Sequence, residues 1–155
     1  MDLSLIVNPV DFSASGEAAL KRALALARRH EAELHVVYVR PGRAGRNASG
    51  STAEDPFLGR LVKFISSLNL EEVAVTPVVL TGEPVKAVAE YARINAADLV
   101  VVGQNGRRGS RFWSPGVLAT DVARAVASPT LTVSNKTVAD TAVAASFNRG
   151  NDLFV

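Results

Sequence analysis

The sequence predicts an α/β fold in which helices cover both faces of a doubly wound, open parallel sheet. Three observations support this class. Short continuous apolar runs, such as residues 99–102, have the character of buried parallel strands. These runs alternate with stretches in which apolar side chains recur at helical spacing. Strands that alternate with helices in this way form parallel sheets with right-handed crossovers.

The first strand is predicted over residues 3–7, an apolar run that turn residues follow. From about residue 15 the pattern changes to a helical period, because Leu20, Leu24 and Ala27 then share one face. The second strand is predicted over residues 33–39, where apolar residues again dominate.

The next segment, residues 41–51, is rich in Gly, Ser, Arg and Asn and is predicted to be a loop. An apolar stripe over residues 57–68 predicts the second helix, and residues 73–80 predict the third strand. Pro77 indicates an edge position for that strand, because proline cannot donate to a ladder. Pro84 stands at the predicted start of the third helix, where its missing N–H carries no penalty.

The second half repeats the alternation. Val85, Val88 and Ala92 form the buried face of the third helix, and residues 98–102 form the fourth strand. The fourth helix is predicted over residues 118–126 and the fifth strand over residues 130–133. Strand five would then be the last strand of the open sheet. Its unpaired edge is a template for a second chain, which predicts a homodimer through strand five.

Length and composition indicate one domain. The chain has 155 residues, of which 48% are hydrophobic and 21% are charged, as in ordinary globular domains. We assign residues 1–134 to the domain and residues 135–155 to a tail. The tail has little periodicity. It forms either an extra helix over residues 138–147, a docked segment, or a disordered terminus.

Several classes of partner and location are disfavoured. The net charge is only +2, so a nucleic-acid partner is not expected. No apolar run approaches the roughly 20 residues that span a bilayer. The chain has no cysteine, which excludes disulfides, thiol catalysis and zinc–thiolate sites. The N-terminus has no secretory signal pattern, so a cytoplasmic location is expected.

The segment after the fourth strand carries the most informative motif. Gly103 and Gly106 are separated by two residues, and Gly106 and Gly116 by nine, before the fourth helix begins. Glycines after a buried strand allow close approach of a ligand, and a helix N-terminus offers N–H groups to a phosphate. In this fold class the loop would meet residues 8–13, which follow the first strand, at one crevice.

These residues resemble the nucleotide-binding signature of the universal stress protein family: glycine, two residues, glycine, nine residues, then glycine followed by Ser or Thr. Position 117 departs from it, because Val stands there. Further matches are Val-Asp-Phe-Ser at 10–13, Gly-Glu-Pro at 82–84 and Ser-Pro at 128–129. The resemblance covers about residues 3–134 and implies a Rossmann-like five-stranded sheet of order 3-2-1-4-5.

The resemblance also implies a ligand and its contacts. The ligand would be ATP or AMP, with or without magnesium. Adenine would lie against Pro9, Asp11 and Val39. Ribose would lie by Val102 and Gly103. The phosphates would meet Gly106, Gly116 and the N–H groups of Val117 and Leu118. Because Val117 lacks the hydroxyl of the family pattern, weaker binding or a preference for fewer phosphates is expected.

Two functions remain open at this point. The first is an adenine-nucleotide sensor or regulator of stress responses. The second is a nucleotide-free dimeric stress protein that acts through unidentified protein partners. An enzyme is not predicted, because residues 8–13 lack the glycines of the ATP-cleaving loop found in related folds. Asp11 has an alternative role in capping the turn into the first helix. His30 and His35 show no metal-ligand spacing and are predicted to be surface or satisfied histidines.

Overall fold

The protein contains one seven-stranded sheet, of order β3-β2-β1-β4-β5-β6-β7, with four helices among the described residues. The computed structural model describes residues 2–40, 42, 55–104, 117–134, 145–148 and 153–154. The strands are β1 (Leu5–Pro9), β2 (Glu33–Arg40), β3 (Val75–Thr81), β4 (Leu99–Gly103), β5 (Thr130–Val133), β6 (Ala145–Asn148) and β7 (Leu153–Phe154). The helices are α1 (Ala14–His30), α2 (Pro56–Ser66), α3 (Pro84–Ile94) and α4 (Val117–Ala125).

The first five strands are mutually parallel and follow the predicted order 3-2-1-4-5. Two separate apolar clusters show that the helices cover both faces. One cluster contains Leu20 of α1 and Leu61 of α2, and the other contains Val88 of α3 and Val122 of α4. The predicted fold class is therefore confirmed, and the winding reverses between β1 and β4.

The two edges of the sheet differ from each other. β3 is an edge strand, as the presence of Pro77 predicts. The Leu34 N–H donates to the Ala74 carbonyl, so residues 74, 76 and 78 face β2 and Pro77 faces outward. At the other edge, the prediction that strand five is last is wrong, because β6 pairs with it antiparallel and β7 pairs with β6. The tail thus supplies two more strands.

The tail also corrects a second expectation. A helix over residues 138–147 is one of the alternatives that the sequence leaves open, but residues 145–147 belong to β6. Residues 138–144 lie outside the described residues. Backbone pairing with β5, which no local periodicity reveals, determines the conformation of residues 145–148.

Strand β1 is longer at its C-terminal end than predicted. The sequence predicts a turn from residue 8 onward, but Asn8 and Pro9 continue the strand and pair with Val36 and Val37 of β2. The strand order places β1 at the centre of the parallel sheet, where proline is unusual because it removes a ladder donor.

Capping side chains mark the N-termini of three helices. The Ser13 hydroxyl accepts a hydrogen bond from the Gly16 N–H and caps α1. The Asp55 carboxylate caps α2, and the Glu83 carboxylate caps α3 by accepting from two N–H groups. Pro56 and Pro84 then occupy the first helical positions, as predicted for Pro84.

Candidate functional site

The candidate site lies at the C-terminal edge of the sheet, between β1 and β4. These neighbouring strands lead to α1 on one face and α4 on the other, so this is the point at which open α/β sheets form a crevice. Pro9 ends β1, Asp11 follows it, and Val102 and Gly103 end β4. Val39 lies near the same end of β2. The fold therefore brings these five sequence-predicted residues to one edge.

Asp11 is held in the turn that leads into α1. It is 7% exposed, and its Oδ1 atom accepts hydrogen bonds from the Ser13 N–H at 3.0 Å and from the Ser13 hydroxyl. Gly16 leaves space for this carboxylate, because a Cβ at that position would lie 2.9 Å from Asp11 Oδ1. The capping role considered for Asp11 is therefore present in the structure, and Gly16 is a contributor that the sequence did not reveal.

Between Asp11 and Ser13, the backbone of Phe12 adopts a left-handed conformation with φ of 62°. Such a conformation is unfavourable for a residue with a bulky side chain and persists only when its surroundings fix it. Aromatic neighbours do so here. The Phe12 ring lies 4.8 Å from the Tyr38 ring and 5.4 Å from the Phe64 ring, and the Arg60 guanidinium lies 4.2 Å above it.

Gly103 is required by the packing of β4 against α1. A Cβ built on Gly103 would lie 2.7 Å from the Ser15 carbonyl oxygen and 2.8 Å from the Ser15 carbonyl carbon. Immediately afterwards, the Gln104 N–H donates to the Val133 carbonyl at 2.8 Å, which fixes the end of β4 to β5. The first glycine of the motif thus has a structural reason that is independent of any ligand.

Val39 and Val102 are core residues. Each is 1% exposed, and both belong to the apolar cluster that α3 and α4 cover. Their side chains are therefore packed inside the protein, and their contribution to the crevice is limited to the backbone at the ends of β2 and β4.

The remaining predicted residues lie at the border of the described structure. Gly106 and Gly116 fall outside the described residues. Val117 and Leu118 begin α4, and the first N–H groups of a helix have no partner within the helix. The backbone of α4 is thus suited to an anion at its start.

A polar pair connects the ends of β2 and β3 to α2. The Arg40 guanidinium donates to the Asp55 carboxylate at 2.8 Å and to the Thr81 hydroxyl at 2.7 Å. The Asp55 side chain is only 7% exposed, so this is a largely buried ion pair. It fixes the start of α2 beside the aromatic residues that surround Phe12.

Asn8 is a site residue that sequence reasoning missed. It is fully buried, and its side-chain Nδ2 donates to the Val101 carbonyl of β4 at 2.7 Å. Its Oδ1 atom has no hydrogen-bond partner among the described residues. The adjacent Pro9 is the signal that could have revealed the role of Asn8, because proline leaves a central strand without one backbone N–H donor.

A polar network lies at the opposite end of β2. His35 Nδ1 lies 2.8 Å from the Tyr91 hydroxyl, and His35 Nε2 lies 2.8 Å from Glu33 Oε1. The hydrogen bond with His35 lowers the pKa of the Glu33 carboxyl below its ordinary value. Burial raises the pKa of the Tyr91 phenol, and the Glu33 charge adds to that effect. His35 is thus a satisfied histidine, as predicted.

The described part of the chain contains no group of three or more His, Cys, Asp and Glu side chains that could hold a metal ion. It also contains no helix with the length and apolar character of a membrane span.

Comparisons with known proteins agree with this architecture. Solved structures of similar fold include the universal stress protein UspA from Lactobacillus plantarum, at 22% identity and a TM-score of 0.60, covering 85% of this chain and 98% of that one. A universal stress protein in complex with cAMP shares 23% identity, with a TM-score of 0.61 and coverage of 86% and 98%.

A third structure is the universal stress protein from Archaeoglobus fulgidus in complex with dAMP. It shares 26% identity, with a TM-score of 0.57 and coverage of 85% and 98%. No curated protein matches the sequence at a significant level. The model of the universal stress protein family matches residues 4–134, which is most of the chain. The protein therefore belongs to the universal stress protein family.

Proposed function

We propose that this protein binds an adenine nucleotide in the crevice between β1 and β4 and acts as a nucleotide-dependent regulator in the response to stress, without catalysing a reaction. The observation that carries the proposal is the convergence of Asp11, Gly103 and the start of α4 at the switch point of the sheet. We also propose that it acts in the cytoplasm.

The binding mode that we propose uses three parts of the edge. Adenine lies against Pro9 and Asp11 and meets the backbone near Val39. Ribose lies beside Val102 and Gly103. The phosphates contact Gly106, Gly116 and the N–H groups of Val117 and Leu118, where the helix dipole favours negative charge. Magnesium is an optional partner of a triphosphate in this arrangement.

A nucleotide with a single phosphate is the favoured ligand. Val117 offers no hydroxyl to the phosphates, and a lost hydrogen bond to a charged group weakens binding by roughly ten- to a hundredfold. The related structures with cAMP and with dAMP both hold nucleotides that carry one phosphate. We therefore place AMP before ATP.

The test is a thermal unfolding measurement with AMP and ATP, with and without magnesium. A ligand that binds only the folded state adds about 2.7 kcal/mol of stability at one hundred times its Kd, so the Tm should rise clearly. Gly106→Val and Gly116→Val should abolish the rise. Gly59→Ala is the control, because Gly59 lies in α2 with no atom near its missing Cβ. No rise with any nucleotide would favour the nucleotide-free alternative.

Val117→Thr tests the phosphate preference. Valine and threonine are both branched at Cβ and similar in shape, and threonine supplies the hydroxyl that the family pattern has at this position. ATP should bind roughly ten- to a hundredfold more tightly and AMP about as before, as measured by calorimetric titration. Equal ATP affinity of the two proteins would show that position 117 does not meet the phosphates.

A homodimer through β5 can form only if the edge of β5 is free. β6 of the same chain occupies the outer edge of β5 with four paired residues. A second copy can therefore pair with β5 only after β6 leaves it. We infer that the tail and a second copy compete for this edge. The full chain therefore does not dimerise through β5 while β6 is paired with it.

A further inference from the structure

The hydrogen bonds around β1 reveal which of its residues face which neighbour. The Val10 N–H donates to the Val37 carbonyl of β2, so even-numbered residues of β1 face β2 and odd-numbered residues face β4. On β4, the Val100 N–H donates to the Pro129 carbonyl next to β5. Leu99 and Val101 therefore face β1.

The ladder between β1 and β4 stops at Pro9. The paired residues are Ile6 with Leu99 and Val7 with Val100, and no further pair follows. In this register the next bond would run from the N–H of residue 9 to the Val101 carbonyl. Proline has no N–H, so this carbonyl, buried inside the sheet, would be left without its ladder donor.

The side chain of Asn8 supplies that donor. Its Nδ2 atom lies 2.7 Å from the Val101 carbonyl oxygen. The amide must be oriented this way, because its oxygen could not pair with a carbonyl. The orientation leaves Asn8 Oδ1 buried without a partner among the described residues. An apolar residue would avoid that unpaired oxygen, so its presence indicates that the donor is needed here.

We propose that Asn8 is a positioning residue for the crevice: its side-chain amide replaces the backbone donor that Pro9 lacks, which allows a proline ring to end the central strand where the ligand binds. The second half of this proposal rests on the nucleotide function proposed above. The first half, the exchange of donors, stands on the geometry of β1 and β4 alone.

A double-mutant cycle in the full chain tests the exchange of donors. Asn8→Leu keeps the branched shape but removes the donor, and Pro9→Ala restores a backbone N–H at residue 9. Asn8→Leu alone should lower the urea midpoint markedly. In the Pro9→Ala background the same substitution should lower it much less, because the restored N–H donates to the Val101 carbonyl instead. Losses that simply add would overturn the exchange.

Two further measurements keep the test decisive. If Asn8→Leu alone does not fold, recovery of a cooperative unfolding transition in the double variant supports the exchange, and failure to recover overturns it. In the double variant, the amide hydrogen of residue 9 should be protected from exchange with solvent, because it lies in the ladder. Rapid exchange of that hydrogen would contradict the new bond.

Measuring AMP affinity distinguishes a role of Asn8 and Pro9 in the crevice from a role in stability alone. Both Pro9→Ala and the double variant should bind AMP several-fold more weakly than the unaltered protein, although the double variant keeps its stability. Full AMP affinity in the double variant would show that the pair serves folding alone. If the unaltered protein binds no nucleotide, the proposed function fails and the positioning role fails with it, whereas the stability cycle still decides the exchange.

Discussion

Gly103 lies at the C-terminal end of β4, where the strand passes the first turn of α1. A methyl group at this position would overlap the carbonyl of Ser15. Gly103→Ala should therefore destabilise the protein by about 1–3 kcal/mol, the usual effect of overpacking. The comparison is Gly59→Ala, an open helical position at which the same change should stabilise by up to about 1 kcal/mol. Urea unfolding measures both. Equal stability of Gly103→Ala and the unaltered protein would contradict this packing role.

At the scale of single residues, the sequence predicts the site residues that a local pattern marks. Two such patterns are visible in the sequence: the spacing of Gly103, Gly106 and Gly116, and the position of Asp11 after an apolar run. Both predict the crevice. Asn8 and Gly16 could not be predicted in the same way. Their roles depend on which strand lies beside β1 and how closely a carboxylate approaches α1, and both are tertiary facts.

Strand β2, strand β3 and helix α3 are joined by the network around His35. Glu33 bonds with His35 and accepts from the Thr76 hydroxyl of β3 at 3.2 Å, and His35 in turn contacts Tyr91 of α3. Because folding lowers the pKa of the Glu33 carboxyl, its ionised form adds stability above its ordinary pKa of 4.5. That contribution is lost as the pH falls through the lowered value.

Glu33→Gln should remove this contribution. The Tm of the variant should lie slightly below that of the unaltered protein at neutral pH, and the difference should vanish in strong acid. The effect is small because Glu33 is exposed. Thermal unfolding across the acid range measures it, with Glu71→Gln as an exposed control. A Tm difference that grows toward acid pH would contradict the assigned direction.

At the scale of elements, apolar runs and helical periods predict the five parallel strands and the four helices, because burial on both faces leaves a clear pattern. These sequence patterns do not predict a segment whose conformation depends on backbone pairing with a neighbouring strand. β1 extends through Pro9 because the Asn8 side chain supplies a missing donor. β6 forms because β5 offers an open edge to it, although nothing in residues 145–148 alone predicts a strand.

The C-terminal hairpin controls which surface the whole molecule presents to a second copy. Ending the chain after Ser134 removes β6 and β7 and exposes β5. The shortened protein should then form dimers at tens of micromolar, whereas the full chain should be monomeric, as measured by light scattering. The matched change within the full chain is Ser146→Pro with Phe147→Pro, which removes backbone donors of β6. A monomeric shortened chain, or a dimeric full chain, would contradict the competition.

Among the described residues, both edges of the sheet are poor templates for fibre growth. On one side Pro77 interrupts the outward-facing row of N–H groups of β3. On the other side, the last strand in the described part of the chain, β7, is only two residues long. Polymerisation through stacked strands needs a long, unbroken row of backbone donors and acceptors. The folded chain should therefore remain dispersed at high concentration, and loss of the tail would remove that protection on one side only.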